Sequence, residues 1–307
     1  MKGASRVLAY FGAGVLFFVF FLFWTFPYDV LKSRILNQIE DGLGGQYRIK
    51  VQKMSGGLLF GLAFKNVEVV KKEGGKDLLL FKTARLRLRP SWIGLLRKNT
   101  SVSFDVKTSK GGLDGKFVDS ADQTRVQLEL DEVPLGDFRF LSALYGVNLK
   151  GTLDGDADLK INKKDVAKNA GQVEVDLINL TLDPMKVRLD PNAPESTMDL
   201  PKITLTGAKN SKLLGTLTKT DFDVKEFTLK GGDLDLSLKG PINLGPRFED
   251  HRVNLSGRLS LSPALAQAIP VLSLFEQQKL PDGSFDLQVG GRLAKPSITV
   301  GRFKLPF

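Results

Sequence analysis

The sequence predicts a mainly β protein, one long succession of antiparallel strands behind a single membrane helix. Three observations predict it. Residues 7–26, VLAYFGAGVLFFVFFLFWTF, form an almost unbroken apolar run with no charge inside it. From Gln46 onward, apolar residues recur at every second position, the period of a strand with one oily and one wet face. Glycine pairs punctuate that alternation at Gly56-Gly57, Gly74-Gly75, Gly111-Gly112, Gly231-Gly232 and Gly290-Gly291, supplying the positive φ angles of tight hairpins.

The apolar run comes first. At about 1.5 Å per residue it spans about 30 Å, the thickness of a hydrocarbon core. Tyr10 and Trp24 lie near its ends, where amphipathic rings favour the headgroup level. The run continues into Trp24, Thr25, Phe26 and Pro27 with no small-residue cleavage site, so an uncleaved anchor is expected rather than a signal peptide. Residues 1–6 then form a cytoplasmic tail and 7–26 the transmembrane helix, with the C-terminal domain on the other side of the membrane. In YDVLKSRILNQIED, Tyr28, Leu31, Ile35 and Ile39 recur at helical spacing before Gly42, Gly44 and Gly45. Residues 27–44 therefore read as a short amphipathic helix and linker, and 45–307 as the β-rich domain.

Charge is concentrated early in that domain. Residues 45–110 hold fifteen Lys and Arg against four acids, Glu68, Glu73, Asp77 and Asp105, an excess that covers the whole formal net charge of +10. Arg85, Arg87, Arg89, Arg97 and Lys98 stand out as a candidate membrane-proximal basic surface; a cation beside anionic headgroups gains about 1 kcal/mol. The same residues also fit a solvated strand face. Nucleic acid is not an expected partner, because no aromatic stacking pattern accompanies the charge.

The strands follow in order. TARLRLRP alternates Leu86 and Leu88 with arginines; SVSFDV alternates Phe104 and Val106 with polar residues. The pattern returns at Val126 and Leu128, at Val173 and Val175, at Leu234 and Leu236, and at Phe285 and Leu287. Continuous apolar runs, the mark of a sheet buried on both faces, are scarce, so an antiparallel sheet with one solvated side is expected. Asp183 to Pro201 carries Pro184, Pro191, Pro194 and Pro201 and reads as a long internal loop or edge. Two short helices, 135–145 and 263–277, each precede a glycine-rich hairpin, a weak repeat that suggests similar modules added to one sheet.

The chemistry of catalysis is thin. The chain has one histidine, His251, beside Glu249 and Asp250, and no cysteine. Thiol nucleophiles, disulfides and His-rich metal sites have no residues to build them. Asp154, Asp156 and Asp158 in GTLDGDAD lack the downstream glutamate of a calcium loop and fit a wet strand face. GGLLFG lacks the lysine and spacing of a phosphate loop. No cofactor and no enzymatic activity are expected.

On these residues the chain resembles a known group. YRIKVQKMSGGLLFGLAFKNVEVV, ARLRLRPSWIGLLRKNTSVSFDV and the terminal GSFDLQVGGRLAKPSITV are similar to AsmA-like proteins. FPYDVLKSRIL directly after the anchor, and LPKITLTGAKNSKLLGTLTKTDFDVKEFTLKGGDLDLSLKGPINL, resemble the type II secretion system protein N family (GspN). The broader resemblance implies an elongated, curved antiparallel sheet with two or three short helices, curled into an open apolar groove. Such a groove would be lined by Leu86, Leu88, Phe104, Val106, Val126, Leu128, Leu234, Leu236, Phe285 and Leu287; a closed sandwich or barrel would use the same residues as core. The narrower one implies a non-enzymatic inner-membrane component of a secretion apparatus, its β domain in the periplasm and its partners other apparatus subunits. An anchored carrier holding phospholipid acyl chains is the alternative. Neither resemblance brings catalytic residues.

Overall fold

The computed structural model describes residues 33, 36–37, 47–57, 61–73, 75–91, 94, 99–190, 193–245, 250–269, 277–293 and 295–304. The expected tail and transmembrane helix at 1–26 lie outside them, as does nearly all of 27–44, of which Ser33, Leu36 and Asn37 are helical. Among the described residues no helix is long and apolar enough to cross a membrane.

The described chain is mainly β and antiparallel. Its strands are β1 (Tyr47–Gly57), β2 (Gly61–Glu73), β3 (Lys76–Pro90), β4 (Thr100–Lys107), β5 (Gly112–Asp119), β6 (Gln123–Pro134), β7 (Leu149–Asn162), β8 (Ala170–Leu182), β9 (Met185–Asp190), β10 (Ala193–Leu200), β11 (Ile203–Thr204), β12 (Lys212–Thr218), β13 (Asp221–Leu229), β14 (Leu234–Asn243), β15 (Arg252–Leu261), β16 (Phe285–Arg292), β17 (Lys295–Val300) and β18 (Phe303–Lys304). Two short α-helices interrupt them, α1 (Phe140–Tyr145) and α2 (Pro263–Ala268). Sixteen strands make one sheet in chain order, β1 to β8 and then β12 to β18, with β11 pairing alongside β8. That path ends at β1 and β18, so the strands do not close into a barrel.

Short hairpins explain the order. Gly75 (φ 79°) turns β2 into β3, and Gly231 (φ 78°) turns β13 into β14, in the left-handed region that glycine occupies without steric cost. Gly290-Gly291 departs from expectation. Both residues lie inside β16, opposite Pro296 and Ser297, and the turn comes later, between Arg292 and Lys295. The left-handed residues Asn66, Glu132 and Asn179 sit within strands rather than at turns. At Glu132 the register jumps, Leu130 facing Gly155 and Val133 facing Leu153, which is a bulge that bends the strand and adds twist.

Because strands alternate in direction, the sheet has two distinct ends. The near end is where β1 begins at Tyr47; about 35 Å away, one strand length of 11 residues, lies the far end. The excursions α1, β9–β10 and α2 follow the ends of β6, β8 and β15, and all fall at the near end. The first of them fills a gap. β4 pairs with β3 only from Arg85 onward, and Phe138 takes the vacant place beside Phe81, the two rings stacked with centroids 5.3 Å apart. Asp137 accepts hydrogen bonds from the backbone N–H (2.7 Å) and hydroxyl (2.9 Å) of Ser109, tying the β4–β5 turn to the plug. α1 stops at Gly146 (φ 68°), whose N–H donates to the Ser142 carbonyl at 3.1 Å. α2 starts at Ser262, whose hydroxyl accepts from the Leu265 N–H at 3.2 Å, followed by Pro263 in the first turn.

The proline-rich stretch 183–201 corrects the sequence reading: it is not a loop but a separate two-stranded sheet, β9 with β10. The ladder passes from Ala193–Asp190 to Thr197–Arg188, skipping Pro194, Glu195 and Ser196. Proline donates no hydrogen bond, and it falls where the ladder asks for none. Outside the main sheet, a pair of strands tolerates that break.

Packing is local along the sheet. Buried Met54, Phe64 and Val67 form one cluster under β1–β3; Val175, Leu177, Leu180 and Leu229 form another under β8 and β13; Leu238, Phe285, Leu287 and Val300 form a third under β14–β17. A fourth joins Ile203, Leu265 and Ile269 to Met198 and Leu200, seating β10 and α2 over the near end. β4 and β5 contribute to none of these clusters, and their one fully buried aliphatic side chain is Val106.

Candidate functional site: the two faces of one sheet

The strand register converts the alternation into rows. Met54, Phe64, Leu86, Val106, Leu113 and Leu130 are successive Cα partners across β1–β6. The row continues through Gly155, Val175, Leu213, Phe227 and Leu238, and then through Gly257, Leu287 and Val300. A second row runs Leu62, Leu88, Phe104, Gly115, Leu128, Ala157, Val173, Gly215 and Val224. Cross-strand partners point to the same face, so these rows make one apolar surface spanning the molecule. Where glycine interrupts a row, an aromatic covers it: the Phe104 ring lies against Gly115, and the Phe222 ring against Gly215.

All ten predicted lining residues lie on this face, but they are not one site. Leu86, Leu88, Phe104 and Val106 belong to β3–β4, Val126 and Leu128 to β6, and Leu234, Leu236, Phe285 and Leu287 to β14–β16. Their environments differ. Val106, Phe285 and Leu287 are buried, and the other seven are half-buried. Toward the far end of β5–β7 the apolar face meets solvent, with Phe117 37% and Ile161 44% exposed.

Sequence reasoning missed the residues that seal the near end. Val133, Thr83 and Thr206 are the most deeply buried side chains among the described residues. Thr83 donates its hydroxyl to the Lys107 carbonyl at 2.6 Å, and the Thr206 hydroxyl accepts from the Leu180 N–H at 2.8 Å. Each hydroxyl serves a backbone group where the strand ladder is interrupted. A threonine within a β pattern gives no local sign of that task.

The opposite face is charged, and the charge is sorted. Arg85, Arg87 and Arg89 project from β3 on this face; Arg97 and Lys98 lie outside the described residues. Nearness in sequence to the apolar run does not place these arginines at the near end. Arg89 partners Ser103, one residue from the far end of β3. Moving across the sheet from Arg87, the successive Cα partners are Asp105, Asp114, Glu129, Asp156 and Glu174, an unbroken row of carboxylates from β4 to β8. Like charges directly opposite one another are destabilising. Asp105 lies 3.8 Å from Arg85, while Asp114, Glu129 and Asp156 are exposed and make no ion pair among the described residues. One row further, Asp158 takes a two-pronged hydrogen bond from Arg125, and chiefly that bond holds its carboxyl below the usual carboxylate range. A shallow groove of about 670 Å³ lies over this region, bordered by Arg87 and Arg89 on one side and Asp154 and Asp156 on the other.

Among the described residues no group of three or more His, Cys, Asp or Glu is placed to hold a metal ion, the carboxylate row included. His251 sits in the β14–β15 connection, where its Nδ1 accepts the Gly245 N–H at 3.0 Å, a turn-fixing role. The arrangement thus defines a sheet protein that presents two broad chemical surfaces, one apolar and one charged. Comparison with protein families, curated proteins and solved structures returned no match.

Proposed function

We propose that this protein is a non-enzymatic component of a type II secretion apparatus, anchored in the inner membrane by residues 7–26 with its β sheet in the periplasm. The observation that carries the reading is the segment 200–244, the second of the two stretches resembling GspN. It forms β11 to β14, the central packing unit that joins the first eight strands to the last four. The chain's distinctive sequence is therefore invested in the scaffold, as suits a protein that acts by holding surfaces in place. Partner subunits would meet the sheet at its edges or by strand addition. The test is a deletion strain. Accumulation of folded, normally exported enzymes in the periplasm, with an intact outer membrane, is the expected result. Normal export with a leaky outer membrane would overturn the reading.

One observation favours a second reading, an anchored carrier of phospholipid acyl chains in a curled, open groove. The apolar rows are continuous across the sheet yet half-exposed at β4–β7, and an uncovered apolar surface of that kind is costly in water. Phospholipid that copurifies with the full chain and is lost on substituting Phe104 and Leu128 by Asp would establish it.

A further inference from the structure

The charged face carries two opposite patches at one height. Arg87 and the four exposed carboxylates Asp114, Glu129, Asp156 and Glu174 belong to a single cross-strand row. Arg89, one row on, is also exposed. Neither Arg87 nor Arg89 has an ion-pair partner among the described residues, and the carboxylates lie side by side although like charges in register repel. Each patch is the complement of the other, on the same face of the same chain.

We propose that two copies of this chain pair charged face to charged face about a two-fold axis parallel to the strands. The geometry selects that axis. A rotation about a strand direction near β5 exchanges left and right across the sheet but preserves height. It carries β3 of one copy over β7 of the other, so Arg87 meets Asp156 of the second copy, and the reverse contact forms at the same time. The interface is isologous, the commonest symmetry of soluble oligomers. It also leaves both near ends pointing the same way, so two chains entering their sheets from one side can form it. Strands β3 to β8 offer a patch of about 30 by 20 Å, about 600 Å² per copy, at the low end for a stable interface. The dimer is accordingly weak and salt-sensitive, since the screening length is about 10 Å at 0.1 M salt. This inference is independent of the secretion and carrier readings.

The absence of native cysteine makes the test direct. In the full chain in detergent, Asp114→Cys places a thiol beside the axis, and Ser237→Cys places one on the charged face of the distant β14. With a short bis-maleimide at 50 mM salt, Asp114→Cys should give at least five-fold more covalent dimer than Ser237→Cys, and lose most of it at 0.5 M salt. Adding R87E and R89E should abolish the product, as should adding E129K and D156K. Mixing those two reversed proteins should restore it, because each reversed patch then meets its complement. R87Q with R89Q provides a milder version, with circular dichroism as the check on folding. Equal cross-linking at the two positions, indifference to salt and charge reversal, or failure of the mixture to recover would each overturn the proposal.

Discussion

Leu236 and Ser237 are neighbours in β14 whose side chains meet opposite environments, and substituting each by Asp should separate the two faces cleanly. Leu236 stands between Leu229 of β13 and Leu259 of β15 and packs against the buried clusters on both sides of β14. Removing its side chain forfeits about 2 kcal/mol of apolar burial. A carboxylate in its place has no cationic partner in either cluster, and its partial desolvation adds a further cost. Because the site is half-buried rather than sealed, the sum is about 3–5 kcal/mol. Ser237 is exposed on the other face, between Thr228 and Arg258, and Ser237→Asp should change stability by no more than about 0.5 kcal/mol. Urea unfolding of the two variants, followed by far-UV circular dichroism, measures the difference at constant m-value. Equal midpoints would refute the assignment of apolar and charged faces, and with it the rows built on that assignment.

Three further outcomes follow from particular contacts. Gly155→Ala should cost more than Gly115→Ala in the same unfolding assay, because the first holds φ at 146° with the backbone carbonyl of Glu174 where a methyl would go. The second meets only the Phe104 ring, which can tilt aside, for about 1–3 kcal/mol. Thr206→Val should cost about 1–3 kcal/mol, since it leaves the buried Leu180 N–H without its 2.8 Å partner, whereas Thr206→Ser should retain most of the stability. The Arg125–Asp158 pair should make stability acid-sensitive. With its folded-state pKa depressed, Asp158 stabilises the fold above about pH 4, the ordinary carboxylate value, and loses that contribution as pH falls through the depressed value. Asp158→Asn should therefore be less stable than wild type at pH 7 and converge on it below pH 3; parallel curves across that range would show the pair to be unimportant.

Much of this architecture was legible in the chain. The two-residue period of Leu86 and Leu88, or of Phe104 and Val106, states which side chains share a face, because a strand has no other way to direct them. The gap after Leu130 was not legible. Glu132 adopts a left-handed conformation for which its own side chain gives no cue, and the bulge there decides that Val133 rather than Glu132 turns inward to become fully buried. The proline count of 183–201 correctly barred it from the centre of the sheet, but not from forming a sheet of its own.

The sequence by itself determined the class, since apolar alternation, glycine turns and the lack of thiols and histidine pairs are local properties of the chain. Only the tertiary structure decided what became neighbours. The carboxylate row from Asp105 to Glu174 draws on five strands spread over some 70 residues, and no local pattern signals it. Register depends on where each hairpin turns and where each bulge falls, and one residue of slip would dissolve the row. The same holds for the arginines of β3. They are close to the apolar run in sequence but at the far end of the sheet, because an antiparallel strand returns the chain one full length for every turn it makes.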